Sequence, residues 1–293
     1  MKILLTGATG FIGANFIEKY HNQYSIVALV RKNSKIDKIK NKCKIYYYDE
    51  NIEQILISLK HENIQGVVHL ATLYLKTFTA CDIKNLADSN IIFGLELLNI
   101  SMLLNIKFFI NTITFSQFAN STHYKPKTLY DATKQAFMDL TKFYSSYFDI
   151  FNLMIYDTYG KNDTRPKIFN LWRDISLNNT SIDMSPGEQK IDISHVDDIA
   201  NGINILIQNF INKDTTNNQI YTLENHRYSL KELAKIFENI AQTKLKINWG
   251  AKNYLPNEIM IPISSKDTAG IAPLPNWSPA IPLKTGIKEI LNN

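Results

Sequence analysis

The first half of this chain alternates short apolar runs with longer helical patterns, and this alternation most constrains its fold. Such runs predict strands, and their regular alternation with helices predicts a parallel sheet covered on both faces. The predicted strands are residues 2–6, 25–30, 44–48, 66–71, 107–112 and 151–156. Three helices are predicted: one that begins near Phe11, one over residues 89–104 and one that begins near Tyr130. The predicted fold class is therefore α/β, a doubly wound parallel sheet.

A glycine-rich turn, GATGFIG at residues 7–13, joins the first predicted strand to the first helix. Glycines let the backbone approach a pyrophosphate, and a helix N-terminus favours its negative charge. The turn therefore predicts a Rossmann-type dinucleotide site, whereas the alternative is a tight turn that binds nothing. The predicted cofactor contacts here are Gly7, Thr9, Gly10, Phe11, Ile12 and Gly13.

The residue after the second predicted strand indicates which dinucleotide is bound. An acidic side chain there would accept hydrogen bonds from a ribose 2′-hydroxyl, but Arg31 suits a 2′-phosphate. We therefore predict NADP(H) rather than NAD(H), the alternative being a solvated basic turn. Asp49, after the third strand, is a predicted contact of the adenine amino group.

The pattern becomes irregular after Tyr159. Strands are predicted over 191–196 and 219–223, and a helix over 229–241 with Ser229 as N-cap and Glu232 completing a capping box. A proline-containing tail follows from Asn253. We predict a dinucleotide-binding domain over 1–157, with returns near 191–224. Residues 158–293 are predicted to form mainly a smaller C-terminal substrate-binding domain.

Composition narrows the classes of partner. The 293 residues carry a net charge of +5 without a basic block, so no nucleic-acid partner is predicted. Two cysteines and six histidines lack metal-ligand spacing, so no metal is predicted. The N-terminal apolar run is too short for a signal sequence, and no stretch is judged long enough to span a membrane. We therefore predict a cytoplasmic protein without a membrane partner.

Tyr130 and Lys134 stand four residues apart in a predicted helix, so their side chains share one face. Spacing alone leaves them an ordinary surface pair. Further stretches change this reading: VVHLAT at 67–72, FINTIT at 109–114, YDATK at 130–134, YG at 159–160 and HVDDIANGI at 195–203. Together with the glycine turn, they resemble the extended short-chain dehydrogenase/reductase family, the NAD-dependent epimerases and dehydratases. The resemblance covers nearly the whole chain.

The resemblance implies three catalytic residues, Thr114, Tyr130 and Lys134. Reduction of a ketone needs a hydride from nicotinamide and a proton for the developing alkoxide. The resemblance gives the proton to Tyr130, whose pKa the Lys134 ammonium would lower. Lys134 would also hold the nicotinamide ribose. Thr114 would orient the carbonyl, with Thr112 and Ser116 as neighbouring alternatives.

The same resemblance implies the remaining contacts. Cofactor contacts are predicted at Leu70, Ala71, Thr72, Asn90, Thr112, Tyr130 and Lys134. Substrate contacts are predicted at Thr114, Tyr156 and Asp157. Helices of this family commonly form a dimer interface, so a homodimer is predicted.

The family contains several branches. Dehydratases carry an acidic pair after the threonine, whereas Phe115 and Ser116 stand here. Arg31 disfavours the tightly held NAD of epimerases. The chain looks most like reductases of the CDP-abequose and CDP-paratose synthase type. This likeness predicts NADPH-dependent reduction at C4 of a nucleotide-linked 4-keto-6-deoxyhexose for surface polysaccharide synthesis. The alternatives are a sugar-nucleotide epimerase or a non-catalytic dinucleotide sensor.

The chain departs from the family in its substrate half. Ile191 and Leu255 stand where relatives carry arginines that clamp the substrate diphosphate, and Asp157 replaces an asparagine or histidine. Losing two cations and gaining a carboxylate weakens the binding of an anion. The basic residues that are predicted as substitutes are Arg165, Lys167, Arg173, Lys190 and Lys252.

Overall fold

The computed structural model describes residues 1–49 and 51–292 of the chain. The strands are β1 (Lys2–Thr6), β2 (Ser25–Arg31), β3 (Lys44–Tyr48), β4 (Gly66–His69), β5 (Phe108–Thr114), β6 (Asp149–Ile155), β7 (Asp157–Tyr159), β8 (Ser181–Met184), β9 (Lys190–His195), β10 (Ile220–Thr222), β11 (Arg227–Ser229), β12 (Lys246–Trp249) and β13 (Ile271–Pro273). The helices are α1 (Phe11–Tyr20), α2 (Ile52–Leu59), α3 (Asp82–Ala87), α4 (Phe93–Leu103), α5 (Leu129–Tyr144), α6 (Ile168–Leu177), α7 (Val196–Ile211), α8 (Leu230–Ala241) and α9 (Leu283–Leu291). A π-helical turn, Asp88–Ile92, joins α3 to α4, and a 3₁₀ turn, Phe115–Gln117, follows β5.

The main sheet has eight strands in the order β13-β10-β6-β5-β4-β1-β2-β3. Every neighbouring pair is parallel. The order reverses between β1 and β4, so a crevice opens at the carboxyl ends of these two strands. The prediction of a doubly wound parallel sheet is confirmed. The crevice lies beside residues 7–13 and the loop that follows β4.

Both faces of this sheet are buried. Ile3 and Leu5 pack in a core with α1 and α7, while Leu4 packs in a second core with α4 and α5. Because successive residues of a strand point to opposite faces, all three must be apolar. The continuous apolar runs of the first half therefore arise from burial on two sides.

The second half builds a smaller unit around Phe169, Trp172 and Phe237. It contains a three-stranded sheet, β11-β9-β7, and a two-stranded sheet, β12-β8. The predicted capping box of α8 is present, with Ser229 accepting from the backbone of Glu232. Within residues 191–224, α7 packs in the core of the main sheet and β10 pairs with β6, whereas β9 pairs within the smaller sheet. The domain boundaries stay a prediction.

The helix before β5 is longer than predicted. Helical structure runs from Asp82 to Leu103, because the Asp82 carboxylate accepts hydrogen bonds from the backbone and hydroxyl of Thr79 and starts α3 early. An 18-residue window within these 22 residues has a mean hydropathy of 1.3, so the expectation that no stretch reaches membrane-spanning length is wrong. Length and composition are weak evidence of a span, since core helices share them. Here a Cβ at Gly94 would lie 2.4 Å from the Phe137 ring, so α4 packs closely on α5.

Candidate active site

The glycine-rich turn packs so closely against its own backbone and the loop after β4 that Gly7 and Gly13 have no room for side chains. A Cβ built on Gly13 would lie 2.3 Å from the Gly7 carbonyl oxygen, and one on Gly7 would lie 2.6 Å from the Leu70 carbonyl carbon. Gly7 also has a φ of +68°, a conformation that glycine adopts most readily. Gly10 is the N-cap of α1 and provides no side chain to cap it. The N-terminus of α1 therefore presents free backbone N–H groups beside an exposed turn.

The wall opposite this turn is the loop that follows β4. The Thr6 hydroxyl forms a hydrogen bond of 2.8 Å with Nδ1 of buried His69 and accepts one from the Ala71 backbone at 3.3 Å. The Thr112 hydroxyl donates to the His69 carbonyl. Burial, followed by the charge of Lys134, lowers the pKa of His69 to about 3, so its ring is neutral. These bonds hold the predicted cofactor residues Leu70 and Ala71 against Gly7.

Arg31 and Asp49 lie at the far end of the same crevice. Arg31 ends β2, Asp49 follows β3, and these two strands are parallel neighbours. Both side chains are exposed. Among the described residues, Arg31 has no ion-pair partner. Their placement at the carboxyl edge agrees with the predicted adenosine end of the cofactor site.

Tyr130 and Lys134 share one face in the first turns of α5, as predicted. The helix begins with a reciprocal capping box between Thr128 and Asp131, which fixes where it starts. Burial lowers the pKa of Lys134 to about 8. No hydrogen bond or ion pair of its ammonium is seen within the described part of the chain. A buried cation without a partner fits a site for ribose hydroxyls.

The pKa of Tyr130 differs from the expectation. Burial raises it above its ordinary value and outweighs the opposing hydrogen bond with Thr72. The lowering by Lys134 that the resemblance implied is thus not seen in the protein alone.

The three hydroxyls that competed for the orienting role are separated by the structure. Thr112 bonds to the His69 carbonyl, as above. The Ser116 hydroxyl donates to the Asp131 carboxylate. Thr114 ends β5, and its hydroxyl lies 2.9 Å from that of Ser116. Of the three hydroxyls, that of Thr114 is therefore the best placed to orient a carbonyl. It contacts Ser116, which is held by Asp131.

Asn90 lies in the π-helical turn and is buried, with its side chain turned toward the active-site loop. Its carboxamide oxygen accepts from the Leu73 backbone and the Thr72 hydroxyl, and its nitrogen donates to the Leu73 carbonyl and the Thr133 hydroxyl. It therefore ties the loop after β4 to α5. π-Helical turns of this kind often occur at functional sites.

Tyr74 is a residue of the site that was not predicted individually. Its ring meets the Tyr130 ring edge-on, with centroids 5.0 Å apart. Tyr74 is itself more than half exposed, so it forms the outer wall of the site. No sequence signal marks it, because the contact depends on the path of the loop after β4.

The predicted substrate residues are less clearly placed. The Tyr156 hydroxyl donates to the Ile263 carbonyl at 2.7 Å, and its ring stacks on Phe115. Asp157 begins β7 and forms an ion pair of 3.0 Å with Lys167. Tyr156 is thus used in packing, whereas Asp157 is partly exposed at a charged edge.

The two positions where relatives carry arginines hold apolar side chains here. Ile191 packs against the smaller core, and Leu255 is exposed. The predicted basic substitutes are mostly occupied by carboxylates: Arg165 with Asp163, Lys167 with Asp157, Arg173 with Asp174 and Lys190 with Glu232. Arg227, opposite Asp192 in the β9–β11 pair, is also neutralised, by Asp192 and Glu224.

Taken together, the cradle at Gly7 and Gly13, the open end of α1 and the unpartnered Lys134 fit a nicotinamide dinucleotide. Among the described residues, no group of three or more histidine, cysteine, aspartate or glutamate side chains forms a metal site. The fold and site thus define a dinucleotide-dependent enzyme of the short-chain dehydrogenase/reductase type.

Comparison with known proteins agrees. The model of the NAD dependent epimerase/dehydratase family matches residues 3–222, and the chain belongs to this family. It is 30% identical to the CDP-abequose synthase of Salmonella muenchen over 99% of this chain and 97% of the relative. It is also 30% identical to the CDP-abequose synthase of Yersinia pseudotuberculosis, over 89% of this chain and 92% of the relative. The predicted family and enzyme class are confirmed.

Solved structures share the fold. The UDP-glucose 4-epimerase of Thermotoga maritima superposes with a TM-score of 0.80 at 19% identity, covering 100% of this chain and 98% of that one. The UDP-glucuronic acid 4-epimerase of Bacillus cereus, in complex with UDP-glucuronic acid and NAD, gives 0.82 at 20% identity with the same coverage. At these identities the likeness shows the fold alone.

Proposed function

We propose that this protein is an NADPH-dependent reductase of the C4 keto group of a nucleotide-activated 4-keto-6-deoxyhexose. The observation that carries the proposal is the similarity to CDP-abequose synthases over nearly the whole of both chains. A CDP-linked sugar is therefore the first substrate to test. The proposed setting is surface polysaccharide synthesis in the cytoplasm.

The roles of the site residues follow from their chemistry. The bound nicotinamide supplies the hydride. Thr114 orients the carbonyl oxygen, and Tyr130 donates the proton that this oxygen takes up. Lys134 has a pKa of about 8, so it is mostly cationic at neutral pH and stabilises a Tyr130 phenolate as it forms. Tyr74 covers the outer side of Tyr130 and limits the access of water.

The surroundings of Thr114 support reduction over dehydration. Asp131 is a carboxylate within reach of Ser116, which the sequence analysis did not foresee. It is buried, and it accepts hydrogen bonds from the Ser116 hydroxyl, the Thr128 hydroxyl and the backbones of Lys127 and Thr128. A carboxylate with four donors is poorly suited to remove a proton from a substrate carbon.

The test follows NADPH absorbance with CDP-, dTDP- and GDP-linked 4-keto-6-deoxyhexoses. We expect oxidation of NADPH with one of them and a loss of about 10²- to 10⁴-fold in kcat for Tyr130→Phe. Tyr47→Phe, at an exposed tyrosine of β3, is the matched control and keeps full activity. Interconversion of the C4 epimers of the corresponding C4-hydroxy sugar nucleotides, without net NADPH consumption, would instead establish an epimerase. NADPH binding without turnover of any of the three would point to another carbonyl substrate or to a sensor.

The cofactor preference rests on Arg31. Its exposed guanidinium, free of ion pairs within the described residues, is available to a 2′-phosphate. We expect Arg31→Ala to raise the KM for NADPH about tenfold, because one charge-assisted contact is lost. The KM for NADH should stay unchanged. Equal effects on both cofactors would contradict the NADP(H) assignment.

We also propose a homodimer. Exposed apolar side chains lie on α4 and α5, at Leu103 and Phe143, and next to these helices, at Ile92 in the π-helical turn and Tyr147 after α5. Phe143 is 68% exposed, which is costly for a free surface. Light scattering at micromolar concentration should give twice the chain mass of 33.7 kDa, and a monomer mass would refute the proposal.

A further inference from the structure

Two hydrogen-bonded bridges join the loop after β5 to α5. In the first, the Thr114 hydroxyl contacts that of Ser116, which donates to Asp131. In the second, the Gln117 carboxamide oxygen accepts from the Thr114 backbone, and its nitrogen donates to Gln135 at 3.0 Å. The same residue on β5 is therefore connected to α5 through its side chain and through its backbone.

The positions of these contacts on α5 are informative. Asp131 and Gln135 are four residues apart and share a face, as do Tyr130 and Lys134. Each member of the first pair directly follows a member of the second. The helix thus presents one pair to the predicted cofactor site and uses the adjacent pair to hold the loop that carries Thr114.

The hydroxyl protons can be assigned by counting donors. An ionised carboxylate only accepts, so the one hydroxyl proton of Ser116 points to Asp131. Ser116 can then only accept from Thr114, so in the protein without substrate the Thr114 proton points to Ser116. This bond, together with the Ser116 backbone N–H that donates to the Thr114 oxygen, holds the Thr114 side chain in one orientation. A substrate carbonyl that binds beside Thr114 would then compete with the Ser116 oxygen for this proton.

Burial makes these bridges more than surface contacts. Asp131 and Gln117 are 0% exposed. Buried polar groups are costly unless they are bonded, so the bridges hold one geometry. The Asp131 carboxylate also caps α5, and the same group therefore sets both the start of the helix and the position of the hydroxyl.

We propose that Asp131 and Ser116 are positioning residues that fix the Thr114 hydroxyl relative to Tyr130 and Lys134. This inference rests on the proposed function, because Thr114 orients the substrate carbonyl there. A reaction that needs several groups in register loses rate when one of them is displaced slightly. Asp131 and Ser116 therefore act on kcat through Thr114, without contacting substrate.

The experiment is a double-mutant cycle on kcat with the sugar nucleotide that the wild-type protein reduces. Ser116→Ala should lower kcat about tenfold and leave the KM for NADPH unchanged. Thr114→Val removes the orienting hydroxyl at nearly constant volume and should lower kcat about 10²- to 10³-fold. The double variant should match Thr114→Val within about twofold, because Ser116 then has nothing to position. Losses that multiply in the double variant would overturn the proposal.

Ser101→Ala is the matched control. Ser101 is a buried serine, whereas Ser116 is part-buried, and its hydroxyl likewise donates a hydrogen bond, to the Leu97 carbonyl in α4, away from Thr114. It should cost stability without lowering kcat. A loss of kcat equal to that of Ser116→Ala would overturn the proposal, since it would mean that any lost buried hydrogen bond has this effect.

A second arm does not depend on the substrate. If the wild-type protein consumes NADPH with none of the sugar nucleotides, the proposed function fails, and the bridge is then tested by urea unfolding. The variants are Ser116→Ala, Asp131→Asn and the double variant. The change in the unfolding equilibrium constant of the double variant should differ from the product of the two single changes by at least about threefold. Multiplicative values would overturn the proposed bridge.

Discussion

The predicted dinucleotide-binding half and the predicted substrate-binding half of the molecule differ in one respect: whether the polar groups at their sites already have partners. In the cofactor half, the N-terminus of α1 has no side-chain cap, and Lys134 is buried with no partner among the described residues. In the substrate half, Arg165 and Lys167 are each paired with a carboxylate. The first half therefore offers free donors to an anion and to hydroxyls, whereas Arg165 and Lys167 would have to leave a carboxylate before they could bind the proposed substrate diphosphate.

This difference indicates where specificity is set. A site whose donors are already free gains their full interaction with the ligand, and its geometry changes little on binding. When the cations of a site are already paired, binding of the ligand gains only the difference in free energy between the new ion pair and the one that is lost. The cofactor half should therefore tolerate little change, while the substrate half should be adjustable by single charge substitutions.

The largest effect expected on cofactor binding is at Gly13. A Cβ there would lie 2.3 Å from the Gly7 carbonyl oxygen, and backbone would have to move. We expect Gly13→Ala to weaken NADPH binding between about 5- and 150-fold, the usual range for overpacking. Fluorescence titration with NADPH gives the Kd, and circular dichroism checks that the fold persists. Gly10→Ala is the comparison, since its Cβ would be 3.1 Å from the same oxygen and should cost less. Unchanged affinity in Gly13→Ala would mean that the turn is not rigid.

A second test concerns Asp192 in the substrate half. Its carboxylate is buried beside Arg227, and burial raises its pKa to about 7, with Arg227 acting in the opposite direction. A raised pKa contributes stability that is present below about pH 4 and is lost as pH rises toward 7. The Asp192→Asn side chain cannot ionise and does not lose this stability. The unfolding free energy of the variant minus that of the wild type should therefore increase by about 2 kcal/mol between about pH 4.5 and 7.5. This value is already reduced to allow for the ion pair with Arg227.

Urea unfolding of both proteins at several pH values measures this difference, in which the other carboxylates cancel. Asp183→Asn, at an exposed position of β8, should show a flat difference. A flat difference for Asp192→Asn as well would mean that Arg227 keeps Asp192 ionised throughout.

Much of the cofactor half could be predicted because its signals are local. The strand over residues 44–48 was predicted to the residue, and Tyr130 and Lys134 fall on one helical face as expected. The strand before the loop ends at His69 rather than at Ala71, because Gly7 comes within contact of Leu70. That limit is set by tertiary contact and leaves no mark in the local pattern.

The substrate half was harder to predict. Helices α6, α7 and α9 were not foreseen, although α7 has sixteen residues, because the local pattern there was judged irregular. α9 lies in the proline-containing tail, where its buried face packs only against distant elements. The role of Asp131 was also missed, since Ser116 meets it only after β5 and α5 pack together.

The smallest expected effect is also the most direct test of the comparison between the halves. Lys167 is part-exposed and paired with Asp157 at 3.0 Å. If the substrate diphosphate takes Lys167 from Asp157, Asp157→Asn should lower the KM for the sugar nucleotide about threefold, and Lys167→Met should raise it by up to about tenfold; the exposure of both groups keeps these values small. The KM for NADPH should change in neither variant, which separates the two halves. Unchanged substrate KM values in both would shift the diphosphate toward Lys252, an exposed cation that has no ion pair in the described part of the chain. The paired cations would then stabilise the fold and have no role in binding.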